Sequence, residues 1–162
     1  MQLSDLFSLI GLGGVAIGLF LNVWAVHRGN AQKRSEFLME LYNSFLSDDV
    51  SDIFFKLEYE KIKTIKPDSK DEKNLSKLLT IFDNIGHLFE TSKNFNKSDL
   101  EYFATEIISV YTNPVVNQYL KKLKDDYTKL FNELQLNQNK TKALIPFDDF
   151  QKLAEFLLKK YK

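Results

Sequence analysis

The chain has 162 residues, one domain's worth, with 22 basic residues balanced by 22 acidic ones and no cysteine. The neutral balance excludes a general nucleic-acid binder, which carries a basic excess. Without cysteine there is no disulfide scaffold, thiolate zinc site, iron–sulfur cluster or cysteine nucleophile.

The first element is apolar. Between Asp5 and His27 lie 21 residues without a charge, LFSLIGLGGVAIGLFLNVWAV. As a helix they extend roughly 31 Å, the thickness of a bilayer's hydrocarbon core. Residues 1–28 are therefore expected to form a transmembrane anchor. Trp24, His27, Arg28, Lys33 and Arg34 are its expected membrane-interface anchors. A cleaved signal peptide would carry basic residues before the apolar run, and here they follow it. The positive-inside rule then places the N-terminus outside a bacterial inner membrane and residues 29–162 in the cytoplasm. Gly11, Gly14, Gly18, Asn22 and Ala25 share one helical face, and Gly14 and Gly18 form a G-x-x-x-G pair. This face predicts close packing of two such helices, a homo-oligomer formed through the span.

Residues 29–162 read as helical throughout, so the expected fold is all-α: one transmembrane helix followed by a five- to six-helix cytoplasmic bundle. Phe37, Leu38, Leu41, Tyr42 and Phe45 make an apolar stripe over 32–46. Ser47-Asp48-Asp49 offers N-caps for a helix carrying Val50, Ile53, Phe54 and Leu57. Pro67-Asp68-Ser69 breaks the chain. The pattern over 70–92 is the most regular, with Leu75, Leu78, Leu79, Phe82, Ile85, Gly86 and Phe89 on one side and Ile81 and Leu88 on another. Apolar residues on two sides predict a central helix. Ser98-Asp99-Leu100-Glu101 has the form of a capping box and opens a helix through Val110. Asn113-Pro114 ends that helix and starts another, whose stripe runs from Val116 through Tyr119, Leu120, Leu123, Tyr127, Leu130 and Phe131 to Leu134. Beyond a polar loop over 137–142, Pro146 precedes a last helix bearing Phe147, Phe150, Leu153, Phe156 and Leu157.

Catalytic signals are sparse. Five of six glycines fall in residues 1–29, so the helical part has no Gly-rich phosphate loop. A ribonuclease built on an arginine with a histidine a few residues on is excluded, since neither Arg28 nor Arg34 is followed in that way. Asp83, His87 and Glu90 share a helix face and are the weak candidates for a divalent metal, without a second histidine or a recognised motif. No cofactor is expected. Lys121, Lys122, Lys124 and Lys129 lie on the polar side of one helix beside Asp125 and Asp126, the pattern of a solvated face.

The apolar N-terminal run, FLMELYNSFLSDD (37–49), DEKNLSKLLTIFDNIGHLFE (71–90) and NPVVNQYL (113–120) resemble a family of uncharacterised bacterial proteins, a domain of unknown function with one expected membrane span and a helical domain behind it. The resemblance implies fold and membrane placement and carries no functional residue. The expected function is a non-enzymatic, membrane-anchored interaction module. Its partners would be the lipid bilayer, a second copy and a cytoplasmic protein, and a membrane effector of stress or phage defence is one form it takes. The alternatives are a membrane-perturbing effector acting through the span and, least favoured, a metal-dependent enzyme around Asp83, His87 and Glu90.

Overall fold

The computed structural model describes residues 31–91, 97–133 and 145–161. Among the described residues the chain is all-α, with seven helices and no strand: α1 Ala31–Phe45, α2 Asp48–Glu58, α3 Lys70–Thr91, α4 Lys97–Glu101, α5 Ala104–Thr112, α6 Pro114–Glu133 and α7 Asp148–Tyr161. None of these helices is long and apolar enough to cross a membrane. The expected span, its Gly11, Gly14, Gly18, Asn22 and Ala25 face, and the anchors Trp24, His27 and Arg28 lie outside the described residues. Lys33 and Arg34 fall near the start of α1.

Helix α3 is the centre of the bundle, because its apolar residues occupy more than one face. Leu75, Leu78, Leu79, Ile81, Phe82, Ile85 and Leu88 are all buried. It packs most extensively on α7, then on α2 and α1. Full burial of each such side chain contributes about 1.5–3 kcal/mol. A chain of aromatic contacts crosses the core. Phe54 meets Phe45 edge-on at 5.3 Å, Phe45 meets Phe82 at 6.0 Å, Phe82 stacks on Phe150 at 5.8 Å, and Tyr111 meets Phe150 edge-on at 5.9 Å. The five rings come from α2, α1, α3, α7 and α5, so one contact chain ties five helices together.

The helix ends follow local chemistry, with three departures from expectation. Ser47 is the N-cap residue of α2, but its hydroxyl donates back to the Ser44 carbonyl at 2.8 Å, leaving Asp48 and Asp49 to favour the helix N-terminus by charge. The segment Pro67-Asp68-Ser69 does more than break the chain. Ser69 Oγ accepts the Glu72 N–H at 3.1 Å while Glu72 Oε2 accepts the Asp68 N–H at 2.6 Å, a near-reciprocal cap on α3. The single helix expected from Ser98 to Val110 is instead two. Helix α4 begins at Lys97, ahead of the expected cap, and Glu101 turns to Lys160 Nζ at 3.3 Å. The Phe103 N–H then bonds the Leu100 carbonyl at 3.0 Å, three residues back, which interrupts the α-helical ladder.

Asn113 performs as the sequence predicts and does one thing more. Its Oδ1 accepts the Val115 N–H at 2.9 Å, capping α6 beside Pro114, and its Nδ2 donates to the Leu57 carbonyl at 3.2 Å. One side chain thus ties the start of α6 to the end of α2. On the opposite edge of α2, Lys56 Nζ lies 2.9 Å from Asp52 and 2.8 Å from Asp71, clamping α2 to α3.

Candidate functional site

The three residues weighed as metal ligands all face the start of α7. Asp83 Oδ1 accepts the Phe150 N–H at 2.9 Å. His87 Nδ1 lies 3.0 Å from Asp149 Oδ2. Glu90 Oε2 lies 4.0 Å from Lys152 Nζ, which also pairs with Asp148 at 2.8 Å. Between them, Gly86 is buried against the backbone of Asp149, where a Cβ would stand 2.6 Å from the carbonyl carbon. Asp83, then Gly86 with His87, then Glu90 sit on successive turns of α3 and together form a cradle for the first turn of α7.

The need for that cradle is visible in α7 itself. Phe147, just ahead of the helix, has φ +59°, in the left-handed region that non-glycine residues seldom adopt. An aromatic residue there offers no side-chain oxygen to the free amides of the first turn. The carboxylate of Asp83, 67 residues away in sequence, supplies it. Burial pushes the Asp83 carboxyl above the ordinary carboxylate range, the Phe150 amide opposes that shift, and the neighbouring Asp149 charge adds to it. His87 faces that same Asp149. Among the described residues no group of three His, Asp or Glu side chains is arranged to hold a metal ion. The helical spacing that brings Asp83, His87 and Glu90 onto one face is used to dock a helix.

Two other surfaces stand out. Helix α6 buries Val116, Tyr119 and Leu120 in its first two turns, and no residue beyond Leu120 is buried. Leu123, Tyr127, Leu130 and Phe131 continue the same stripe half-exposed, flanked by the exposed Lys121, Lys122, Lys124, Asp125, Asp126 and Lys129. The sequence shows one continuous stripe, of which the structure buries the beginning and packs Leu123 partly against the core. Burial raises the Tyr127 hydroxyl above its ordinary range, a mark of partial shelter. The second surface is on α1. Tyr42, part of the apolar stripe over 32–46, is 47% exposed, and Met39 at 56% and Leu46 at 51% lie along the same side. The spacing 39, 42, 46 was legible as a helical stripe but was hidden by the stronger core pattern of Phe37, Leu41 and Phe45 on the other side.

Comparison with family profiles, curated proteins and solved structures returns no match to this chain. What the described geometry defines is an all-α bundle with a polar docking cradle inside it and, among the described residues, two partly exposed apolar helix faces outside it.

Proposed function

We propose that the protein is a membrane-anchored helical interaction module. Its N-terminal segment spans a bacterial inner membrane with the N-terminus outside, and the bundle binds a protein partner in the cytoplasm. Support for the anchor comes from the uncharged run of 21 residues and from the basic residues that follow it. The observation that carries the binding role is α6. A helix whose apolar stripe outruns its own core offers Tyr127, Leu130 and Phe131 to a second helix, with charged residues on both flanks to set register. The absence of a catalytic motif in the sequence favours this class over an enzyme.

The test has two stages on the full chain. Protease access to a C-terminal tag is compared in spheroplasts and in lysed cells after fractionation. The tag should pellet with membranes and be cut only after lysis. Cross-linking in membranes then compares wild type with Tyr127→Lys/Leu130→Lys. A cross-linked species present in wild type and lost in the double variant, with an unchanged thermal midpoint, supports the reading. The same species in both, or no cross-linked species in either, refutes it.

A further inference from the structure

Helix α1 has two apolar sides. Phe37 and Leu41 are buried in the bundle, with Leu38 and Phe45 packed beside them. Met39, Tyr42 and Leu46 face away from the bundle and are about half exposed. Leu46 belongs to this row although α1 ends at Phe45, because its N–H still bonds the Tyr42 carbonyl at 2.9 Å, as in a helix. Single exposed apolar residues need no explanation, but three in a row at spacings of 3 and 4 make a seam.

The seam has a register. Counting back in sevens from Leu46 gives Met39, Gln32, Ala25, Gly18 and Gly11, and from Tyr42 gives Ser35, Arg28, Leu21 and Gly14. These are the a and d positions of one heptad frame. In that frame Phe37 and Leu41 take f and c, the positions farthest from the seam, and these are the residues buried in the bundle. The same frame therefore assigns one side of α1 to its own domain and the other to something outside it. It also carries Gly11, Gly14, Gly18 and Ala25 of the expected association face. The frame is polar at Arg28, Gln32 and Ser35, just beyond the apolar run.

We infer that two copies of the chain pack their α1 helices in parallel through Met39, Tyr42 and Leu46, continuing a pairing that starts in the N-terminal segment. The inference rests on the anchored reading, since two spans entering from one side of a membrane hold the α1 helices parallel and adjacent. A lipid surface is a poor occupant for the seam. Its neighbours are Glu36, Glu40 and Asn43, where a membrane-binding helix carries Lys and Arg. A second copy fits. Over 36–46 the e positions are Glu36 and Asn43 and the g positions Leu38 and Phe45, so no like charges meet across that stretch. Three residues are too short a coiled coil to hold alone, because stable ones need about 3–4 heptads. The contact thus depends on the preceding segment.

A chain without cysteine suits a disulfide scan. Met39→Cys, Tyr42→Cys and Leu46→Cys, each in the full chain in native membranes, are compared with Glu40→Cys on the same helix and Lys122→Cys on α6. All five positions are exposed, so the fold tolerates the changes. Disulfides need Cβ atoms about 4 Å apart, so oxidation should give at least roughly tenfold more dimer at 39, 42 and 46 than at 40 or 122. Adding Met39→Glu to Tyr42→Cys should cut its dimer yield several-fold. Protein recovered in membranes with equal dimer at all five positions overturns this inference and leaves the anchored reading standing. Recovery in the soluble fraction overturns both.

Discussion

Replacing Gly86 by alanine sets two effects of opposite sign against each other. In the middle of an unpacked helix the change stabilises by about 1 kcal/mol, because alanine is the better helix former. Here the new Cβ would stand 2.6 Å from the Asp149 carbonyl carbon and 3.2 Å from its Cβ. A backbone carbonyl cannot swing aside, so α7 must move. The carbonyl oxygen would lie closer still, so reaching the 3.4 Å of ordinary contact takes at least about 0.8 Å (3.4 − 2.6). That displacement stretches the Asp83–Phe150 bond from 2.9 Å and the His87–Asp149 contact from 3.0 Å beyond hydrogen-bonding range. Losing two bonds that involve carboxylates costs about 1.5–3 kcal/mol each, so the net loss is about 2–5 kcal/mol. In a chain of this size each kcal/mol moves the midpoint by roughly 2–4 °C, so Gly86→Ala should melt about 5–15 °C below wild type. The assay is thermal unfolding of the full chain in mild detergent, followed by far-UV circular dichroism. A midpoint at or above that of wild type would refute the reasoning, because the propensity gain would then be acting without a clash.

Three further outcomes follow from the same contacts. Asn113→Ala removes the cap on Val115 and the donor to the Leu57 carbonyl, and should lower unfolding free energy by about 1–3 kcal/mol; Asn113→Ser, which keeps a capping oxygen, should fall between it and wild type in urea midpoint. An Asn113→Ala midpoint equal to wild type would contradict this. Asp83 is a carboxyl whose folded pKa lies above its unfolded value of 3.8, so its ionisation costs more in the folded state. Wild-type stability relative to Asp83→Asn should decline as pH rises from about 4 through the folded pKa and level off above it; a difference that grows with pH would reverse the sign of the argument. Asn74 is buried with its Nδ2 lacking a hydrogen-bond partner among the described residues. Its replacement by the similarly sized leucine should raise stability by about 1–2 kcal/mol in the same urea titration, and a loss would show that the amide is in fact satisfied.

The helices were legible because their signals are local. The 3–4 spacing of α3, the Asn113-Pro114 start of α6 and the break at Pro67 each act within a turn or two, and the structure places them accordingly. Apolar side chains on two sides of α3 were enough to mark it as the central helix. The misreadings concern which neighbour a face meets. The spacing of Asp83, His87 and Glu90 shows that they share a face, but nothing local says that this face meets the uncapped start of α7. An apolar stripe likewise states that something covers it, without stating whether the cover belongs to the same chain. That is why spacing alone does not separate Tyr42 or the distal half of α6 from the buried part of their stripes. Phe103 departs for a smaller reason: one i→i−3 bond splits a helix that its apolar spacing describes as continuous.

The chain of five aromatic rings also sets a timetable. Phe150 lies between Phe82 and Tyr111, yet it belongs to α7, which leaves the ribosome after the other described helices. The cradle on α3 emerges 67 residues before the amide it caps. Through that interval α3 keeps an unsealed apolar face, and closure waits on a long loop rather than on a neighbouring hairpin. A nascent chain halted anywhere before Asp148 would carry Phe82 without its stacking partner and would present that face to chaperones and proteases. Helix α7 is therefore the element that seals the Phe82 face after the other described helices have been made.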